Sequence, residues 1–375
     1  MRAGNKIVLV GNPNVGKSVM FGLLTNKYVT VSNYPGTTVE VSYGDMAIDN
    51  KGYLVVDTPG VNSMVPTSED EKVTRDIFLQ EDPLAVVQVA DTKNLKRSLL
   101  ITLQIAEMEL PAILVLNMED EARDRGIVVD INHLKTLIGA EVISAIAPQR
   151  KGIKEIKSAI PHAVKPCIKV RYEDVIEEYI EKISSLLPQI SISKRALSIM
   201  ILSGDESLKK WLIVNLKAEV IKETEALRDD CQLKVKEPLS LLINKKRLDV
   251  AGEIADKVLK RIPAEGGKLL SFLGRISMHP LWGIPLLLIV LYGLYQFVGV
   301  LGAGTLVDFF EDTIFGKYLN PMAIKVVQTI APEGFIQELL VGEYGLITVA
   351  LTYAIAIILP ITATFFIAFA ILEDS

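Results

Sequence analysis

Gly11-Asn12-Pro13-Asn14-Val15-Gly16-Lys17-Ser18 is the stretch that decides the fold. It matches GxxxxGK[ST] at every fixed position, follows the apolar run Lys6–Val10 and opens a helical pattern, which is the setting that motif requires. Glycines let the backbone curl until several N–H groups face a bound phosphate, and the helix N-terminus adds positive potential. Lys17 is expected to reach the β- and γ-phosphates and Ser18 to ligate Mg²⁺. A chance glycine turn would not need a strand before it and a helix after it.

Further segments choose the base. Asp57-Thr58-Pro59-Gly60 ends the run Tyr53–Val56 in the manner of DxxG. Asp57 would hold Mg²⁺ through water, and the Gly60 N–H would sense the γ-phosphate. Asn117-Met118-Glu119-Asp120 ends the run Ala112–Leu116 in the manner of NxxD. A carboxylate at Asp120 accepts from both the guanine N1–H and the 2-amino group, a donor pair that adenine lacks. Order and register of these motifs therefore select GTP and GDP. A last element, contacting guanine O6 by a backbone N–H, falls within Ser144–Gln149, where Ser144-Ala145 and Ala147-Pro148 both fit. Val61 follows DxxG, where many small GTPases place a glutamine that orients the attacking water. Valine cannot do this, so slow intrinsic turnover is expected. Asn14 then reads in two ways. It helps hold K⁺ beside the phosphates, as in potassium-stimulated GTPases, neutralising developing charge, or it only caps and tightens the loop.

Lys6–Val10, Tyr53–Val56, Leu84–Ala90 and Ala112–Leu116 read as buried strands between helical periods such as Leu95–Glu109. Residues 1–163 thus predict an α/β P-loop domain, a mostly parallel sheet with helices on both faces. Residues 164–267 change character. Tyr172–Leu187 has a helical apolar period, Gly204-Asp205 breaks one helix, Leu208–Leu227 supplies another and Leu248–Ile262 a third, giving a small helical bundle before a Pro263–Gly267 linker. Residues 268–375 carry no Asp, Glu, Lys or Arg from Ile276 to Val307 or from Tyr344 to Leu372. Each stretch exceeds the ~20 residues of a bilayer span, which predicts about two transmembrane helices in contact with membrane lipid. Lys260, Arg261, Lys268 and Arg275 precede the first, whereas Asp308, Glu311, Asp312, Glu333, Glu338 and Glu343 dominate the connecting segment 308–343. This asymmetry assigns the N-terminal domain to the cytoplasm.

A net charge of −5 counts against a nucleic-acid partner. Cys167 and Cys231, without CxxC spacing, fit a reducing compartment, and His133, His162 and His279 make no recognisable zinc site. Asp308, Glu311 and Asp312 would share one α-helical face (i, i+3, i+4) and could attract cations, although a solvated face is the simpler reading.

Asn33-Tyr34-Pro35-Gly36-Thr37-Thr38-Val39-Glu40 resembles switch I of the ferrous iron transport protein B family. So do other segments: Asp91-Thr92-Lys93-Asn94-Leu95 with Leu103-Gln104, Leu116–Ala122 with Arg125-Gly126-Ile127, Val170-Arg171-Tyr172, His279-Pro280 with Gly283-Ile284-Pro285, and Leu372-Glu373-Asp374-Ser375. The likeness covers nearly the whole chain. Two features depart from it. The family usually has DLPGxYSL where this chain has Asp57-Thr58-Pro59-Gly60-Val61, and the family's membrane domain has many more spans, so the sequence reads as a truncated chain or the first part of a split gene.

The resemblance implies that Thr38 ligates Mg²⁺ in the GTP state, beside Ser18 and Asp57. It implies that residues 164–267 are a helical domain that tightens nucleotide binding and couples it to the membrane part. The implied function is GTP-dependent Fe²⁺ uptake across the cytoplasmic (inner) membrane by a multi-pass protein. Small accessory iron-transport proteins and a second copy of the chain are the expected partners. Asn14, Lys17 and Thr38 would carry hydrolysis. Gly11, Asn12, Pro13, Asn14, Val15, Gly16, Lys17, Ser18, Asp57, Gly60, Asn117, Met118, Asp120, Ser144 and Ala145 would bind nucleotide. The alternatives are a membrane-anchored regulatory GTPase that transports nothing itself and a ribosome-assembly GTPase; the acidic charge and apolar stretches oppose the latter.

Overall fold

The computed structural model describes residues 5–25, 29–35, 37–262, 276–277, 279, 281–331 and 334–373. The Pro263–Gly267 linker, Gly36, Lys268, Arg275, Pro280, Glu333, Asp374 and Ser375 lie outside them. The chain divides into two compact units, Met1–Gly266 and Gly267–Ser375.

The first unit is built on β1 (Lys6–Gly11), β2 (Val29–Asn33), β3 (Glu40–Ile48), β4 (Lys51–Asp57), β5 (Ala85–Asp91), β6 (Ala112–Asn117), β7 (Ile127–Val129), β8 (Glu141–Ser144) and β9 (Leu259–Arg261). Seven of these form one sheet in the order β2-β3-β4-β1-β5-β6-β8. β4, β1, β5, β6 and β8 pair in parallel, while β2–β3 and β3–β4 are antiparallel. Side chains alternate across the pleat, and β1 shows the consequence. Ile7 and Leu9 enter a core with α1 (Lys17–Leu24) and the later α6, whereas Val8 and Val10 enter the opposite core. The apolar runs are continuous because both faces are covered.

That second face carries α2 (Glu69–Gln80) and α3 (Leu95–Met108), and α4 (Glu119–Asp124) follows β6. α5 (Ile131–Ile138) joins the same core, and α6 (Ile153–Ala159) returns to the first face. The helical part follows with α7 (Asp174–Leu186), α8 (Lys194–Leu202), α9 (Lys209–Asn215), α10 (Ala218–Lys234) and α11 (Leu239–Val258). It differs from expectation at three places. Leu208–Leu227 is not one helix, because Leu216 and Lys217 are extended between α9 and α10. The last helix begins at Leu239 rather than Leu248, directly after Pro238 supplies its N-cap, a position that needs no intrahelical N–H. Its expected last residues leave the helix: β9 pairs antiparallel with β7, Ile127 opposite Arg261 and Val129 opposite Leu259.

The helical part and the sheet domain share one continuous core. Two buried charge clusters cross between them. Glu107 of α3 accepts from Arg247 of α11 (Nη2 2.6 Å, Nε 3.1 Å) and from the Tyr172 hydroxyl. Arg75 of α2, fully buried, pairs with Asp76 and Asp205 and donates to Ser207 Oγ at 2.6 Å.

In the second unit α12 (Gly283–Ile330) and α13 (Phe335–Glu373) are each long and apolar enough to cross a bilayer. The segment 308–343, expected to connect two spans, is mostly helix through Ile330 and again over Phe335–Val341, with extended backbone at Ala331, Gly342 and Gly345 among the described residues. Phe309–Leu319 is π-wound, so face neighbours are farther apart than i, i+3. Asp308 and Asp312 are accordingly exposed while Glu311 is half-buried, and no group of three metal-ligating side chains occurs among the described residues.

Removing one member of a buried ion pair leaves an uncompensated charge and typically costs about 3–5 kcal/mol. Arg247→Ala should therefore destabilise residues 1–266 by about 3 kcal/mol in chemical denaturation, far more than a surface Arg→Ala such as Arg171→Ala.

Candidate nucleotide-binding site

The loop between β1 and α1 is held by atoms outside it. A Cβ on Gly11 would collide with the Val89 carbonyl of β5, and one on Gly16 (φ 80°) would lie 2.5 Å from Asn117 Nδ2. Asn14 is also left-handed (φ 63°), a conformation asparagine tolerates better than most residues. Its side chain is exposed, and Gly16 rather than Asn14 stands at the N-cap of α1. Asn12 reaches across instead, donating from Nδ2 to the Val61 carbonyl (3.2 Å) and to Asn62 Oδ1 (3.3 Å).

At the phosphate end, Lys17 Nζ pairs with Asp57 and donates to the Thr58 carbonyl, while Ser18 Oγ stands 3.5 Å from the other Asp57 oxygen. Burial pushes the Asp57 carboxyl up, against the opposing pull of Lys17. A hydroxyl and a carboxylate oxygen this close form a hard-oxygen set that suits Mg²⁺. Thr38 is not gathered with them: it is exposed, next to a turn in which Thr37 N–H donates to the Tyr34 carbonyl at 3.0 Å. Gly60 lies against Pro13, where a Cβ would come within 3.0 Å of Pro13 Cα. Val61 is fully buried and donates its N–H to the Gly11 carbonyl (2.9 Å), so its side chain belongs to the core rather than to the site.

At the base end Asn117 joins three segments. Its Nδ2 donates to the Val15 carbonyl (2.9 Å), its Oδ1 accepts from the Ala147 N–H (3.1 Å), and its own carbonyl accepts from the Thr92 hydroxyl (2.6 Å). Met118 is left-handed (φ 61°) and turns the chain into α4, whose first turn carries Asp120, half-buried. Of the two registers open for the O6 contact, the Ala145 N–H is already committed to the Leu116 carbonyl at 2.8 Å. The Ala147 N–H is committed as well, to Asn117 Oδ1 at 3.1 Å, so hydrogen bonding does not separate the two registers. Ser144 directs its hydroxyl to Glu119 Oε2 at 2.6 Å.

Several polar residues at the site escaped the motif reading. Glu71 accepts from the Asn62, Ser63 and Thr67 N–H groups, and Gln104 accepts from the Met64 N–H and donates to Ser63 Oγ. Together they hold the loop after Gly60. Gln104 entered the sequence reading only as part of the family-like Leu103-Gln104 pair, a polar residue inside the apolar run of α3, with no role assigned. Glu119 carried no signal beyond its place in NxxD.

Comparison with known proteins adds to this geometry. The family model described as Ferrous iron transport protein B matches residues 5–160, and that described as FeoB cytosolic helical domain matches residues 172–260. The chain belongs to the ferrous iron transport protein B family. Relatives named Fe(2+) transporter FeoB include one from Methanocaldococcus jannaschii, 32% identical over 99% of this chain and 54% of its own length, and one from Staphylococcus aureus, 27% identical over 98% and 55%. A Porphyromonas gingivalis relative, 26% identical over 90% of this chain and 41% of its own, is named as a fusion of Fe(2+) transport protein A with the transporter. The chain thus spans about half the length of the curated relatives it matches. Among solved structures, the cytosolic domain of L. pneumophila FeoB is 28% identical with TM-score 0.60, and the GDP-bound G-domain of S. thermophilus FeoB, in a mutant form, is 26% identical with TM-score 0.61. Each covers 68% of this chain and 100% of its own.

Asn117→Ala would strand the Val15 carbonyl and the Ala147 N–H. A buried unsatisfied polar group costs about 1–3 kcal/mol, so GDP affinity should fall roughly tenfold or more, measured by titration of the full chain with a fluorescent GDP analogue.

Proposed function

We propose that this chain binds GTP, hydrolyses it to GDP and phosphate, and through that cycle gates ferrous iron uptake at the cytoplasmic membrane. The observation that carries the reading is Asn117: its amide ties the P-loop to the 147–149 turn and leaves the Asp120 carboxylate beside it without a hydrogen-bond partner among the described residues. A carboxylate in that position accepts from guanine N1–H and N2–H. The donor for O6 comes from the Ser144–Gln149 segment, where the Ala145 and Ala147 N–H groups both fit and each is held by a protein acceptor until the base enters. Lys17 leaves Asp57 for the β- and γ-phosphates when a triphosphate enters, and Asp57 and Ser18 then serve Mg²⁺, with Thr38 drawn in from switch I. Mg²⁺ would neutralise charge on the transferring phosphoryl group.

With Val61 buried, catalysis needs another source of positive charge. Asn14, exposed on the loop with its side chain uncommitted, suits K⁺ held beside the phosphates. The hydrolysis cycle would act through α2, whose Arg75 grips Asp205 and Ser207 of the helical part. α12 and α13 fit a membrane anchor by length and composition. Fe²⁺ as cargo, a protein-A-like accessory partner and assembly with further copies extend the reading from the relatives to this chain.

Asp120→Asn should weaken GDP binding roughly a hundredfold, because hydrogen bonds to a charged acceptor contribute about 1.5–3 kcal/mol each, and should shift preference toward xanthosine nucleotides. Unchanged GDP affinity by calorimetry refutes the guanine assignment. Exchanging Na⁺ for K⁺ should raise the GTP hydrolysis rate, and Asn14→Ala should abolish that rise; equal phosphate release in both salts removes the K⁺ role.

A further inference from the structure

Two acidic residues stand side by side in the base-reading segment, and the structure gives them different surroundings. Asp120 makes no hydrogen bond among the described residues, whereas Glu119 is spent entirely on protein. Its Oε2 accepts from Ser144 Oγ (2.6 Å) and Lys151 Nζ (3.0 Å), and its Oε1 accepts from Arg123 Nη2 (3.0 Å). Ser144 ends β8 and Lys151 closes the next turn, where Ile146 and Lys151 exchange backbone hydrogen bonds. That turn presents the Ala147 N–H. Glu119 itself sits in the first turn of α4, one residue before Asp120. A single side chain therefore spans from the helix that carries the base-reading carboxylate to both ends of the segment 144–151, within which the O6 donor falls in either register. Burial pushes the Glu119 carboxyl up, but the Ser144 hydroxyl, Lys151 and Arg123 outweigh it and hold the group below the usual carboxylate range, so it stays ionised and competent to accept.

We propose that Glu119 is a positioning residue that clamps the two halves of the guanine pocket at a fixed separation and thereby sets the rate of GDP release. The inference rests on the guanine reading above and adds to it which carboxylate of the pair reads the base and which holds the frame. Ser144 is on this view not a nucleotide contact but the clamp's anchor on β8. The clamp is closed by side chains at the rim of the site, so opening it does not require the Asn117 hub to break. Release should therefore respond to Glu119 while association, which depends on access and the phosphate loop, should not.

Stopped-flow measurement with a fluorescent GDP analogue on the full chain tests this. Glu119→Ala should speed dissociation at least about tenfold, in keeping with the loss of charge-assisted hydrogen bonds, with an unchanged association rate and an unchanged melting temperature of the nucleotide-free chain. Glu119→Gln, which keeps an acceptor for Ser144 but loses the ion pairs, should fall between. Ser144→Ala combined with Glu119→Ala should release GDP no faster than Glu119→Ala alone, because both act through one contact. Wild-type dissociation from Glu119→Ala overturns the clamp. So does a fall in melting temperature with association and dissociation equally affected, which marks a general structural role. Failure of the wild-type chain to bind GDP at all overturns the guanine reading itself, and the clamp with it.

Discussion

The site depends on one amide. Asn117 lies at the end of β6, and its side chain simultaneously accepts from the 147–149 turn and donates to the loop between β1 and α1. One is an irregular loop and the other a single 3-10 turn, Ala147–Gln149, and each would otherwise be free to choose among several backbone paths. A buried amide whose donor and acceptor are both taken fixes them to each other, because any relative slip leaves polar groups dry and unpaired. The glycine at position 16 follows from this arrangement: any side chain there would occupy the space of the Asn117 amide. The left-handed Met118 follows too, since the chain must turn sharply to send Asp120 toward the base after Asn117 has turned back toward the loop.

The phosphate end works by a different principle. Lys17 and Asp57 are both nearly buried, and each would be costly alone. Their pairing lets the protein keep a cation and an anion where a nucleotide and its metal need the opposite charges. Each can exchange its protein partner for a ligand without leaving a naked charge. The same logic appears where the helical part meets the sheet domain. Glu107 pairs with Arg247 across that boundary, and Arg75, which also holds Asp76 of its own helix, pairs across it with Asp205. Such pairs add little net stability over apolar packing but penalise misplacement heavily.

Much of this was legible in the residues. Fully buried parallel strands announce themselves as unbroken apolar runs, and β1, β4, β5 and β6 were found that way within a residue or two. The P-loop, Asp57 and Asn117 were found by spacing, since backbone geometry at a phosphate site tolerates few sequences. β3 was harder: Gly44 and Asp45 interrupt it, and the reason lies in another element, because any side chain at 44 would run into Thr25. β9 was read as helix because Leu259–Arg261 continues a helical period, and only pairing with β7 overrides it. Pairing partners distant in sequence leave no local trace. The register of the O6 contact stays open for the same reason, since the Ala145 and Ala147 N–H groups both find acceptors distant in sequence. Glu119 and Glu71 were silent because acidic residues at helix starts are common and read as surface.

The short ladder between β7 and β9 has a mechanical meaning. Ile262, the last described residue before the second unit, donates its N–H to the Gly126 carbonyl, and Gly126 directly follows α4 and its cap. Any tension transmitted along the polypeptide from α12 enters the first unit here. It meets three antiparallel residue pairs and the Lys260–Asp130 contact before it meets the helical bundle. The nearest neighbour to feel that load is the helix bearing Glu119 and Asp120. The covalent route into the first unit therefore runs beside α4 rather than beside the loop between β1 and α1.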